Sequence, residues 1–209
     1  MILLREKQNP NINLKIVNMN IKKITWLLIF IVVLIQSCNK TSNNTLLQQK
    51  GKEQTEVIQL LHTIDSLENL GDDLDIVKNF ITQAEEFSND YPEDPMSAEF
   101  LYQAGLMAMT VAKISDDLEE AMFYTQKALL IFDDIQRIYP DFISVKNCII
   151  NKGIVYEDIL HDYENAELYY REFIARYPSD TLSIKLESYL PFLGKSPEEI
   201  LTESEKMKQ

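Results

Sequence analysis

Three tyrosine-proline dipeptides, Tyr91-Pro92, Tyr139-Pro140 and Tyr177-Pro178, close three similarly patterned segments and constrain the fold more than any other feature of the chain. Five residues before each proline stands an apolar side chain: Phe87, Ile135 and Phe173. Eight and twelve residues before it stand Ala84 and Phe80, Phe132 and Ala128, and Tyr170 and Ala166. Steps of three and four keep such side chains on one face of a helix. Proline disfavours helical backbone in the residue before it, so each tyrosine is expected to end a helix. Thirteen residues past the first two prolines come Gly105 and Gly153, which suit a following helix where two helices approach closely. The pattern predicts helical hairpins in series, with Ser97 and Ser144 as N-caps of the second helices.

The rest of the chain supports an all-α reading. Val57, Leu60, Leu61, Ile64 and Leu67 make an amphipathic helix of Glu53 to Leu70, and Leu74 to Asp90 makes the next. Leu118, Ala121, Met122, Thr125, Ala128, Leu129, Phe132 and Ile135 form a longer stripe behind the acidic first turn of Asp116, Asp117, Glu119 and Glu120. Its helix is expected to run about two turns past its neighbours, because 48 residues separate the first two prolines and 38 the last two. Near the end, Gly194 stops one helix, and Ser196-Pro197-Glu198-Glu199 starts another as a terminal cap.

Composition excludes several classes. The five glycines stand far apart, which argues against phosphate-cradling loops and nucleotide-binding folds. The formal charge is −13, so nucleic acid is not a natural partner. That charge is uneven. Residues 1–37 hold Arg5, Lys7, Lys15, Lys22 and Lys23 against the single acid Glu6, and removing them takes the charge to −17. Lys22 and Lys23 precede the apolar run Ile24 to Ile35, which has the length of a signal-peptide core rather than of a membrane span. Met19 opens Met-Asn-Ile-Lys-Lys, a more ordinary signal start than Met1, and is an alternative beginning of the chain.

The segment Ile35-Gln36-Ser37-Cys38 resembles the lipobox of bacterial lipoproteins, with Gln36 departing from the small or aliphatic residue usual at its position. The resemblance implies acylation of Cys38, loss of residues 1–37 and a lipid anchor. Residues 38–52 then read as a flexible acylated tether and 53–209 as the helical domain. Asn39 lacks the aspartate that resembles an inner-membrane retention signal, which favours the periplasmic face of the outer membrane. Cys148, in an apolar stretch, reads as a small buried hydrophobe.

The hairpins resemble the tetratricopeptide repeat. Gly105 and Gly153 match its small helix A position and Tyr156 the nearby aromatic. Ala128 and Ala166 match its small helix B position, Phe132 and Tyr170 its helix B aromatic, and Pro140 and Pro178 its terminal proline. The chain thus looks like a tetratricopeptide outer-membrane lipoprotein, a class that includes the one in the β-barrel assembly machinery and periplasmic envelope coordinators. The resemblance implies a short solenoid of antiparallel hairpins with one extended helix B and a C-terminal capping helix.

Chemistry is sparse. His62 and His161 are the only histidines, and neither has metal-ligand spacing. No HExxH, GxSxG or CxxC occurs, so no catalytic, cofactor or metal residues are assigned. Recognition is the expected role, with the resemblance implying a groove on the A helices that holds Tyr102, Leu106, Met109, Ile150, Ile154, Glu157 and Asp158. Glu157 and Asp158 favour basic or apolar segments of other envelope proteins as partners. Two rivals remain: a peptidoglycan-associated hydrolase or accessory protein with an unrecognised carboxylate, and a purely structural helical spacer. A carboxylate buried in a deep cleft would favour the first; A-helix positions wholly buried or wholly polar would favour the second.

Overall fold

A computed structural model describes residues 44–196, 198–200 and 202. Among them all regular structure is helical and no strand is present. The chain parts into two compact units at Lys52 and Glu53. In the first unit, residues 44–52 are described, and all are helical. The helix over 44–65, α1, therefore starts before the predicted boundary at 53, and the expected tether does not reach that far. Thr45 to Lys50 lack a full apolar stripe, but Leu, Gln and Lys are good helix formers.

The second unit is a succession of hairpins. After α1 come a 3₁₀ turn at Leu70–Asp73 and then α2 (Leu74–Asp90), α3 (Pro95–Ile114), α4 (Leu118–Ile138), α5 (Val145–Ile154), α6 (Tyr163–Arg176) and α7 (Thr181–Tyr189). A π turn, Val155–Ile159, continues α5, and a 3₁₀ turn, Leu190–Phe192, follows α7. α1 ends five residues before the predicted Leu70. Thr63 Oγ1 donates to Gln59 O and Ser66 Oγ to Thr63 O, while the Ser66 and Leu67 amides tighten onto Thr63 and Ile64. These local bonds compete with continuation of the helix.

The three tyrosine-proline stops have one geometry. Tyr91, Tyr139 and Tyr177 have φ/ψ of −130/59, −122/58 and −131/56°, outside the helical region as the following proline requires. Their amides donate to Phe87, Ile135 and Phe173 at 2.8–2.9 Å, and their carbonyls accept from the amides of Asp94, Phe142 and Asp180. The first and third turns also share their caps. Asp94 and Asp180 accept from the amides of Met96 and Leu182, and Ser97 and Ser183, both buried, donate to the carbonyls of Tyr91 and Tyr177 at 2.6 Å. Ser97 is therefore a turn inside α3 rather than its N-cap: Asp94 before Pro95 takes that place. Ser144 does occupy the N-cap position of α5, but without a side-chain hydrogen bond.

The central core joins Val57 and Ile64 of α1, Phe80, Ile81, Ala84 and Phe87 of α2, Phe100 and Ala104 of α3, and Ala128, Phe132 and Ile135 of α4. A smaller cluster gathers Ile149, Ala166, Tyr170, Phe173 and Leu186. Each fully buried large side chain contributes roughly 1.5–3 kcal/mol. The two repeat glycines sit at the closest approaches. A Cβ on Gly105 would lie 2.7 Å from the Phe132 ring, and one on Gly153 would lie 2.4 Å from the Tyr170 ring. The extra residues between the first two prolines lengthen both arms of their hairpin, 20 residues in α3 and 21 in α4, so α4 does not outrun its own partner. α4 remains longer than α2, at 17 residues, and α6, at 14. The start of its predicted stripe stays outside the core: Leu118 is 79% and Met122 44% exposed. Opposite this end stands the polar side chain of Lys78, paired with Glu120 at 2.5 Å.

Candidate functional site

The predicted A-helix positions separate into two groups. Tyr102 is half-buried between hairpins: its ring packs on Phe132 and Phe142, and its hydroxyl accepts from Asn151 Nδ2 at 3.4 Å. Leu106 and Ile154 pack half-buried against the central core, and Ile150 against the smaller cluster. Met109, at 8% exposure, is core, because α3 turns it inward with Ala104, Ala108 and Val111. These five positions mainly hold neighbouring hairpins together. Glu157 and Asp158 are different: they open into a cleft. Cys38 and the apolar run at 24–35 lie outside the described residues; among those described, no helix is long and apolar enough to cross a membrane.

The cleft begins at the π turn. Widening the helix by one residue displaces Glu157 and Asp158 from the register that α5 would otherwise give them. The turn closes through His161, the one non-glycine residue at positive φ (51°) among the described residues, with its Nδ1 3.2 Å from Glu157 O. The opposite wall comes from the C-terminal segment. Glu157, Asp158, His161, Tyr163, Tyr189, Phe192, Lys195 and Ile200 line an open cavity of about 560 Å³ together with Gly194 and Ser196. Gly194 turns back at φ 73°, and a Cβ there would stand 2.8 Å from the Tyr163 ring, so the chain lies directly on that ring. Ser196 and Glu199 form a reciprocal cap, with Ser196 N donating to the Glu199 carboxylate at 2.7 Å and Glu199 N to Ser196 Oγ at 3.3 Å. Those bonds, helped by the nearby Lys195 charge, hold the Glu199 carboxyl below its ordinary range.

Glu157 is the centre of the arrangement. Tyr170 donates its hydroxyl to Glu157 Oε2 at 2.6 Å, and Tyr189 donates to Oε1 in a very short hydrogen bond. Burial, and then the Glu157 carboxylate, push both phenols well above their ordinary range, so both remain donors through neutral and mildly alkaline pH. Accepting from two hydroxyls is the opposite of the proton-donor role that glycoside cleavage asks of its acid. Asp158 Oδ2 receives Lys113 Nζ at 2.9 Å; both side chains are exposed, so the pair adds little stability. The cleft is thus an acidic floor under partly exposed aromatic rings, with Tyr163 41% and Tyr189 38% exposed.

A second polar cluster ties α4, α5 and α6 together. Lys152, buried, extends to Asp133 at 2.5 Å and lies 4.4 Å from the centroid of the Tyr169 ring, which stacks on Tyr156. Burial alone would lower the Lys152 pKa, but the Asp133 hydrogen bond and charge outweigh it and hold the ammonium above its ordinary value. Cys148, fully buried beside this cluster, has its thiol pushed up to about 12 by burial, which makes it unreactive near neutral pH.

Sequence spacing found Glu157 and Asp158 but missed the aromatic wall of Tyr163, Tyr189 and Phe192, since two of the three lie beyond the last Tyr-Pro stop. The usable signal was Gly194, a glycine just past an aromatic segment. Compared with family models, curated proteins and solved structures, the chain matches none.

Proposed function

We propose that this chain is a lipid-anchored adaptor of the bacterial envelope, held at Cys38 on the periplasmic face of the outer membrane and binding other envelope proteins through its tetratricopeptide-like hairpins. The observation that carries this reading is the repetition of one packing unit: a helix A glycine against a helix B aromatic, Gly105 on Phe132 and Gly153 on Tyr170. Each hairpin is closed by the same tyrosine-proline geometry. Stacked hairpins of this kind present extended surfaces suited to protein segments rather than enclosed pockets suited to small substrates. The seven A-helix positions are neither wholly buried nor wholly polar, which favours recognition over the spacer role.

Two measurements test the reading together. Cys38→Ala is expected to move the protein from the membrane to the soluble envelope fraction; unchanged retention defeats the anchor. A photocrosslinking amino acid at Asp158 or Tyr163 is expected to trap a discrete envelope protein in the native cell, while one at Leu130, exposed on the outer side of α4, traps none. Equal trapping at all three positions, or at none, defeats the adaptor.

A further inference from the structure

The cleft between the π turn and the C-terminal segment combines two features. Two carboxylates, Glu157 and Asp158, lie on one side, and three aromatic side chains, Tyr163, Tyr189 and Phe192, contribute to the same lining. Packing covers only part of each ring: Tyr163, with the Gly194 backbone on one side, is 41% exposed, and Tyr189, edge-on to Tyr170, is 38% exposed. Glu157 uses one oxygen for each tyrosine hydroxyl, and a carboxylate oxygen has capacity for a second donor. The two hydroxyl bonds fix the carboxylate and the Tyr189 ring in place before any ligand arrives, so little ordering remains to be done on binding. Gly194 keeps the backbone flat against one side of Tyr163 and leaves no side chain there to fill the cleft.

We infer that this cleft receives a basic side chain, a lysine or an arginine, from an extended segment of a partner protein. An aromatic face attracts a cation through its quadrupole, and Arg is the commoner partner because its planar guanidinium also stacks. The carboxylates supply the charge and hydrogen-bond acceptors that an aliphatic side chain cannot use. Phosphate, carboxylate or a nucleic acid strand would meet the wrong sign from Glu157 and Asp158. Lys113 pairs with Asp158 and Lys195 acts on the Glu199 carboxylate, which leaves the charge of Glu157 uncompensated, so the site suits a single cation rather than a cluster of them. The inference rests on the adaptor reading above and adds the chemistry of the contact.

The probe is a pair of pentapeptides, acetyl-Gly-Gly-Arg-Gly-Gly-amide and the same peptide with citrulline in place of arginine, titrated into the full chain by NMR. Citrulline keeps the shape and removes the charge. Arginine is expected to shift resonances of the cleft and to bind at least about tenfold more tightly than citrulline. Tyr163→Leu is expected to weaken the arginine peptide about fivefold, and Asp158→Asn to weaken it by a similar factor. Glu198→Gln, which changes the net charge equally at an exposed position outside the cleft lining, is expected to leave it unchanged. Thermal melts of the variants verify that each is folded. Equal binding of the two peptides, no effect of Tyr163→Leu, or an equal loss in Asp158→Asn and Glu198→Gln overturns the assignment. If the crosslinks of the adaptor test persist while the peptide result fails, the cleft assignment falls alone; loss of both removes the adaptor as well.

Discussion

At Gly153 an added methyl would stand 2.4 Å from Tyr170 Cε1, and at Gly105 2.7 Å from Phe132 Cε1, while at Gly51, in α1, it would meet nothing within 4 Å. Two opposing effects act on a glycine-to-alanine change in a helix. Alanine is favoured over glycine by roughly 0.5–1 kcal/mol through lower backbone entropy in the unfolded chain. Overpacking against a ring that has no room to turn costs about 1–3 kcal/mol. The second effect wins only where the contact exists. Gly153→Ala and Gly105→Ala should therefore lower the urea midpoint, Gly153→Ala the more, and Gly51→Ala should leave it unchanged or raise it. A stabilised Gly153→Ala would mean that α5 and α6 are not packed as described. Cys148 supplies a pH test of burial. Its thiol ionises near 9.0 when unfolded and about 12 in the fold, so between those values the unfolded chain holds fewer protons. The stability this contributes is complete below pH 9 and is lost as pH rises toward 12, at up to about 1.4 kcal/mol per pH unit. Urea midpoints at pH 8 and pH 10 should fall further apart in the wild-type chain than in Cys148→Ala. Equal slopes would show that the thiol is not buried.

The hairpin closures carry the clearest element-scale prediction. Ser97 and Ser183 occupy the same place, six residues after a stop tyrosine, buried, each donating to that tyrosine's carbonyl at 2.6 Å. Removing either hydroxyl should destabilise by about 1 kcal/mol, and Ser97, whose side chain also hydrogen-bonds Tyr139, by the larger amount. The middle turn has Val145 there, the first residue of α5 where Ser97 and Ser183 are the third of α3 and α7, so a hydroxyl at 145 is placed differently and Val145→Ser is expected to give no comparable gain. Chemical denaturation of Ser97→Ala, Ser183→Ala and Val145→Ser decides whether the shared phrase Tyr-Pro-x-Asp-x-x-Ser stabilises the closure or merely accompanies it. This phrase also marks what the sequence makes legible. Proline after an aromatic acts on one neighbouring backbone angle, and glycine at a fixed offset answers one steric demand, so the helix ends at Asp90, Ile138 and Arg176 and the close approaches were readable from local rules. Asp94 as the cap of α3 was missed because serine and aspartate are equal candidates until the turn shows which amide is orphaned. Leu118 and Met122 satisfied the helical stripe but stay exposed, because periodicity names a face and not the neighbour that covers it. The cleft was half legible for the same reason: Glu157 and Asp158 came from the repeat, whereas Tyr189 and Phe192 lie outside it and meet them only in three dimensions.

Across the helical unit the buried side chains divide between a large central cluster on α1 to α5 and a small one on α5 to α7. α5 belongs to both, with Cys148 in the first and Ile149 in the second. In a stack of hairpins each unit contacts mainly its neighbours, so stability is a sum of local packing and interface contributions rather than a single global value. The central cluster holds four large aromatic side chains, Phe80, Phe87, Phe100 and Phe132, while the second holds Tyr170 and Phe173 and is closed by Leu186, itself slightly exposed. The C-terminal end should therefore open first, exposing α6 and α7 while α2 to α4 stay folded. Leu186→Ala removes the closing side chain of the smaller cluster and should cost about 2 kcal/mol, the low end for a buried leucine, because the site can relax toward solvent. Amide hydrogen exchange should show that loss in α6, α7 and the amides closing the π turn, with Ala104, Ala108 and Phe132 unchanged. The cleft would open with it, since Tyr189 anchors its wall to Glu157, so Leu186→Ala should also weaken arginine-peptide binding in proportion to the protection lost. If exchange accelerates equally from α2 to α7, the two clusters unfold as one cooperative unit and the cleft shares the stability of the whole core.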